Sequence, residues 1–315
     1  MSKNQQITIT GKRSFRQRVR VDFKRNRGVY LLAVVPVIYY LVFNYVPMFG
    51  VVLAFKRFSP GAGIWGSPFV GLENFISFFQ SHYFFRLVSN TFLLSFFNLL
   101  WGFPIPIIFA ILLNELKGNR FKRTVQTITY MPHFISMVVI CGIIISFVSQ
   151  NGLITSMLSY LGFSKSNLLM NAGYFRTIYI ASDIWQQMGW NSIIYLAAIT
   201  GLDQEVFDAA TVDGAGRFRK IWHVTIPGIM PTIVIMLILR IGGMMNIGFE
   251  KIILLYNPSI YDTADVISSF VYRKGILQAD YSYSTAVGLF NSVINLTLLV
   301  SANWFSRKVN DTSLW

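Results

Sequence analysis

Cysteine is nearly absent. Cys141 is the single thiol in 315 residues, so no intrachain disulfide closes and no cysteine-based metal cluster forms. Histidine is almost as scarce: His82, His133 and His223 lie far apart, without the HExxH-type spacing of a metalloprotease. No G-x-x-x-x-G-K-[ST] stretch occurs, so the chain carries no phosphate-cradling loop of that kind. Charge is the third shortage. Only 13% of residues are charged against 54% hydrophobic, too apolar a balance for an ordinary soluble domain of this length.

What the chain does have is long uncharged runs. Phe92 to Leu113 is 22 residues without a charge, FLLSFFNLLWGFPIPIIFAILL. At about 1.5 Å per residue such a helix reaches roughly 33 Å, enough to cross a bilayer core. Hydropathy predicts an all-α integral membrane protein with six spans, at about 29–54, 87–113, 127–149, 177–199, 227–249 and 284–305. The basic N-terminus and the apolar run after it lack a small-residue cleavage pattern, so that run is expected to stay as an anchor. The expected organisation is a basic N-terminal segment 1–28, a six-span domain 29–305 containing a loop at 200–226, and a tail 306–315.

The net charge of +14 invites a nucleic-acid partner, but its distribution points to a membrane. An even number of spans puts both termini on one side, together with 114–126 and 200–226. Eighteen Lys/Arg fall on that side and eight on the other. The positive-inside bias therefore places both termini and the 200–226 loop in the cytoplasm of a plasma membrane. The basic N-terminus would rest on anionic lipid.

The 200–226 loop contains DAATVDGAGRFRKIWHVTIPGIMP, polar and basic between two oily segments. Leu202, Val206 and the Ala209–Ala210 pair recur at helical spacing. Asp203 is placed to cap the start, with Glu205 in the first turn. Gly214 and Gly216 end the helix, a second short helix over Arg217–Val224 is expected, and Pro227 and Pro231 mark the start of span five.

These residues resemble a family. Asp208-Ala209-Ala210, three residues, Gly214, nine residues, then Val224-x-Ile226-Pro227 is similar to the EAA loop of ABC importer permeases. Asp213-Gly214-Ala215 resembles its extended form in the carbohydrate, maltose-type branch. The family pattern has Glu first and Ile-x-Leu-Pro last, where this chain has Asp, Val and Ile. The resemblance implies a permease subunit that imports a sugar and catalyses no bond-making. It implies a second homologous permease, two cytoplasmic ATPase subunits and an extracytoplasmic solute-binding protein. ATP and Mg would be bound by the ATPase subunits, and no cofactor by this chain. Asp208 would contact the ATPase, Ala209 and Ala210 would fill its groove, and Gly214 would make the turn.

Polar groups within spans are costly and default to functional candidates. Asp183, Gln187, Trp190 and Asn191 stand at i, i+4, i+7 and i+8, one face of span four. Carboxylate and amide groups suit sugar hydroxyls, and an indole offers a flat apolar surface to a sugar ring. Asn246 in span five and Asn291 and Asn295 in span six are further path candidates, although such residues often only bond neighbouring helices. Arg240 in span five and Asp183 are placed to pair. An importer of peptides or polyamines, a lipid-linked transferase and a secondary transporter are rival readings. A transferase needs interfacial carboxylates, and the cytoplasmic acidic cluster, Asp203, Glu205, Asp208 and Asp213, lies within the EAA-like loop.

Overall fold

The computed structural model describes Val19 and residues 22–310. Most of the basic N-terminal segment and the end of the tail lie outside these residues. The chain divides into two units, 1–52 and 53–315. In the first, helix α1 (Arg27–Tyr40) passes through a π-turn at Leu41–Tyr45 into Val46–Met48, and the chain leaves as a 3₁₀ stretch, Phe49–Phe55. Pro47 explains the π-turn. It has no N–H to donate, so the turn widens and the Val46 N–H reaches back five residues to the Leu41 carbonyl.

The second unit is helical, with one isolated antiparallel bridge between Lys56 and Phe69 among the described residues. Its main helices are α2 (Glu73–Phe79), α3 (Phe84–Gly102), α4 (Pro104–Glu115), α5 (Asn119–Tyr130), α6 (Met137–Val148), α7 (Leu153–Tyr160), α8 (Ala172–Thr200), α9 (Gln204–Val212), α10 (Arg217–Gly242), α11 (Phe249–Leu255) and α12 (Tyr281–Asn310). Pro104 and Pro106 break the second span at Phe103, between α3 and α4.

Among the described residues, five segments are long and apolar enough to cross a membrane: 27–55, 84–115, 137–160, 217–242 and 281–308. The expected fourth span lies within α8. At 29 residues α8 is long enough, but Arg176, Asp183, Gln186, Gln187 and Asn191 dilute its apolarity. Two expected boundaries are corrected. Span three starts at Met137 and not near 127, because 119–130 is a separate basic helix, and Ser136 then caps α6 by accepting from the Val139 N–H. Span five ends at Gly242 and not near 249, since residues 243–248 form a turn bounded by glycines. The short helix expected over Arg217–Val224 is the first part of α10, joined through a π-turn at Ile221–Thr225. Ile226 donates to the Ile221 carbonyl immediately before Pro227, as at Pro47.

Helix α8 is the hub. It packs on α3, α4, α5 and α10. Phe175, Tyr179 and Ile180 join Leu94, Ile140 and Ile252 in one buried cluster, while Tyr195 and Ile199 join Ala110 and Ile229 in another. Between apolar spans, association depends on close packing more than on expulsion of water. Gly189 shows this: a Cβ there would overlap the backbone carbonyl of Thr129, so only glycine lets α8 lie against the end of α5.

Candidate functional site

Two features carry the candidate chemistry, an exposed helical knob and a polar cavity. The knob is α9. The Asp203 side chain accepts from the Glu205 N–H at 2.9 Å and caps its start. At its end Gly214 takes φ +74°, the Gly214 N–H donates to the Thr211 carbonyl at 3.0 Å and the Ala215 N–H to the Ala210 carbonyl at 2.9 Å. These two bonds make a Schellman motif, which needs a left-handed residue where glycine stands. Lys220 Nζ ties the start of α10 to Thr211 Oγ1 at 2.7 Å. Asp208, Ala209, Asp213, Gly214 and Pro227 are exposed and Ala210 is half-buried. The knob is therefore short, capped at both ends, and leaves the small Ala209 position open on its surface.

The cavity, of about 410 Å³, lies among α3, α8, the end of α10, the 243–248 turn and α11. Asp183, Gln187 and Asn191 line it from α8, with Asn98 from α3, Arg240 from α10 and Asn246 from the turn. Its polar groups form a chain. Arg240 donates to Asn98 Oδ1 at 2.9 Å, and Asn98 Nδ2 donates to Asp183 Oδ2 at 3.0 Å. Asp183 Oδ1 stands 3.6 Å from Lys251 Nζ. Lys251, only 1% exposed, also donates to the Tyr179 carbonyl at 3.3 Å and sits 4.9 Å from that ring's centre. The expected Asp183–Arg240 pair is thus not direct. Asn98 bridges the two, and the cation beside Asp183 is Lys251.

Three path candidates fall outside this cavity. Trp190 stacks on His133, ring centroids 4.4 Å apart and planes 3° from parallel, while His133 Nδ1 meets Gln187 Oε1 at 2.8 Å. At about 100° per residue, Asp183, Gln187 and Asn191 centre the stripe on Gln187, and Trp190 falls at its edge. Asn291 and Asn295 are buried and both donate to Asn246 Oδ1, at 3.2 and 3.0 Å. Asn295 Oδ1 also accepts from the Met245 N–H at 2.9 Å. They hold the turn that carries Asn246, and Asn246 alone of the three lines the cavity.

Asn98 and Lys251 were not singled out from the sequence. Asn98 could have been, since it is a polar residue inside the uncharged run Phe92–Leu113. Lys251 could not, because its position in a connecting segment gave no sign of burial.

Comparison with known proteins completes the picture. The family described as "Binding-protein-dependent transport system inner membrane component" matches residues 73–311. Protein LplB of Bacillus subtilis (strain 168) is 43% identical over 93% of this chain and 92% of its own length. The polygalacturonan/rhamnogalacturonan transport system permease protein YteP of the same organism is 42% identical over 96% of this chain and 95% of its own length. A chain in the crystal structure of a bacterial alginate ABC transporter in complex with an alginate pentasaccharide-bound periplasmic protein superposes with a TM-score of 0.86. It is 41% identical, covering 94% of this chain and 100% of that one.

Proposed function

This chain belongs to the binding-protein-dependent transport system inner membrane component family, a membrane-embedded permease subunit and not an enzyme, and we propose that it forms half of the path by which an ABC importer takes up an oligosaccharide or a polysaccharide-derived sugar. The observation that carries the sugar reading is the cavity. Amides from Asn98, Gln187, Asn191 and Asn246 surround charged groups within a bundle of spans. Paired donors and acceptors of this kind exchange hydrogen bonds with sugar hydroxyls. Relatives named for polygalacturonan, rhamnogalacturonan and alginate transport support a sugar of polymeric origin.

In this reading α8 is the fourth of six spans, both termini are cytoplasmic, and the α9 knob faces the cytoplasm. Its exposed Asp208 and Ala209, its half-buried Ala210 and the Asp213–Gly214 turn seat in a groove on an ATPase subunit. Two such subunits bind ATP and Mg, and a second homologous permease completes the path. A solute-binding protein delivers the sugar to the outer connections. The hydrogen bond from Lys220 to Thr211 ties α9 to the start of α10, and with the continuation of α10 through its π-turn before Pro227 it gives a route by which ATPase closure rocks the spans.

The test is reconstitution of the whole complex in proteoliposomes. Uptake of an oligosaccharide should require the binding protein outside and ATP on the ATPase side. Uptake independent of ATP would reassign the chain to a secondary transporter, and uptake of peptides or polyamines alone would remove the sugar.

A further inference from the structure

We propose that Arg240 makes this cavity selective for sugars bearing a carboxylate, an inference that rests on the sugar-permease reading above.

The argument starts from charge. The cavity holds two cations, Arg240 and Lys251, and one carboxylate, Asp183. Asp183 is already engaged on both oxygens, one beside Lys251 at 3.6 Å and the other accepting from Asn98 at 3.0 Å. Arg240 is left with a neutral partner, the Asn98 oxygen at 2.9 Å. No carboxylate among the described residues lies within 4.0 Å of it. A guanidinium has five N–H donors in a planar fork, and Arg240, which is exposed and lines both this cavity and the neighbouring one beside Tyr195, spends one of them on Asn98. An exposed cation near the end of an apolar span, with no carboxylate beside it, is placed to receive an anion that arrives from elsewhere.

A second, independent feature marks the same cavity as built for a ligand. Ser95 lines it from α3, is 6% exposed, and its hydroxyl has no hydrogen-bond partner. A buried hydroxyl left open is costly unless a ligand completes it. A sugar acid supplies both missing groups. Its planar carboxylate fits the guanidinium fork with two parallel hydrogen bonds, and its hydroxyls can exchange hydrogen bonds with Ser95 and the surrounding amides. With Asp183 held by Lys251, one entering carboxylate brings the cavity to neutrality.

The experiment uses the complete complex in proteoliposomes with trigalacturonate and its methyl ester as probes. Each uptake rate is normalised to that probe's affinity for the unaltered binding protein. The wild-type complex should favour the acid. Arg240→Gln should lower the acid-to-ester ratio about tenfold or more, the loss of a charge-assisted hydrogen-bond pair, and Arg240→Lys should keep part of the preference. Asn98→Asp is the second variant. It leaves Arg240 in place but supplies an internal carboxylate, and should lower the ratio similarly. A ratio that neither Arg240→Gln nor Asn98→Asp moves overturns the inference, as does a wild type that takes up both probes equally; sugar transport then still stands. If Arg240→Gln fails to co-purify with its sister permease while Asn98→Asp leaves the ratio intact, the anion facing Arg240 belongs to that subunit and the inference is again overturned. A wild type that takes up no oligosaccharide, acidic or neutral, removes the underlying reading and the inference with it.

Discussion

Trp190 lies flat on His133, ring centroids 4.4 Å apart, with Phe134 edge-on against the same indole at 5.3 Å. The pairing places the 41% exposed indole at the contact between α8 and the 131–134 turn, outside the residues that line the polar cavity. Trp190→Ala should therefore cost roughly 1–2 kcal/mol of stability and leave the relative uptake of different sugars unchanged. Thermal unfolding of the purified complex and paired uptake rates measure the two effects. A change in sugar preference without loss of stability would return Trp190 to the solute path.

Asp183 and Lys251 form the charged pair at the back of the cavity. Removing either alone strands its partner in a poorly hydrated place, and Lys251 has almost no exposure to fall back on. Asp183→Asn and Lys251→Met should each destabilise by about 3 kcal/mol. The double variant should cost less than the sum, by about 1–3 kcal/mol. A thermal-melt double-mutant cycle reads the coupling, and strict additivity would mean that the two groups do not depend on each other.

Ala209 is exposed on a helix whose far end is fixed by the Schellman turn at Gly214. Ala209→Trp should leave the fold intact and abolish ATP-driven uptake, because an indole there blocks close approach of another backbone. Gly214→Ala should weaken coupling less, since placing a Cβ at φ +74° costs about 1–2 kcal/mol. Membrane content by immunoblot and co-purification of the ATPase separate lost docking from lost protein. Full transport by the Ala209→Trp variant would rule out the docking role.

Orientation can be read with thiols. Cys141 is 1% exposed, so the native chain should give little background to a membrane-impermeant maleimide. Asp213→Cys should be labelled only in permeabilised or inside-out membranes, and Lys165→Cys, in the connection before α8, from outside. The reverse pattern would invert the assigned topology.

Several local features were legible in the residues themselves. The cap at Asp203 and the turn at Gly214 follow from side-chain and backbone chemistry within a few residues. The break at Phe103 follows from Pro104 and Pro106 in the same way. The boundary errors have a common source. Hydropathy averages over a window, so it carried span three into the basic helix 119–130 and carried span five through the turn at 243–248.

The residues alone determined that this chain crosses a membrane several times and carries a capped, glycine-turned knob between two of its spans. Run length, charge asymmetry and capping chemistry are properties of neighbours along the chain. Tertiary structure decided which polar groups meet. It drew Asn98 between Arg240 and Asp183, buried Lys251 against the same carboxylate, stacked Trp190 on His133, and bonded Asn291 and Asn295 to Asn246. The reason is geometric: periodicity gives a helix its face, but its rotation and depth against its neighbours set each side chain's partner, and those follow from close contacts such as Gly189 against Thr129, between residues far apart in sequence.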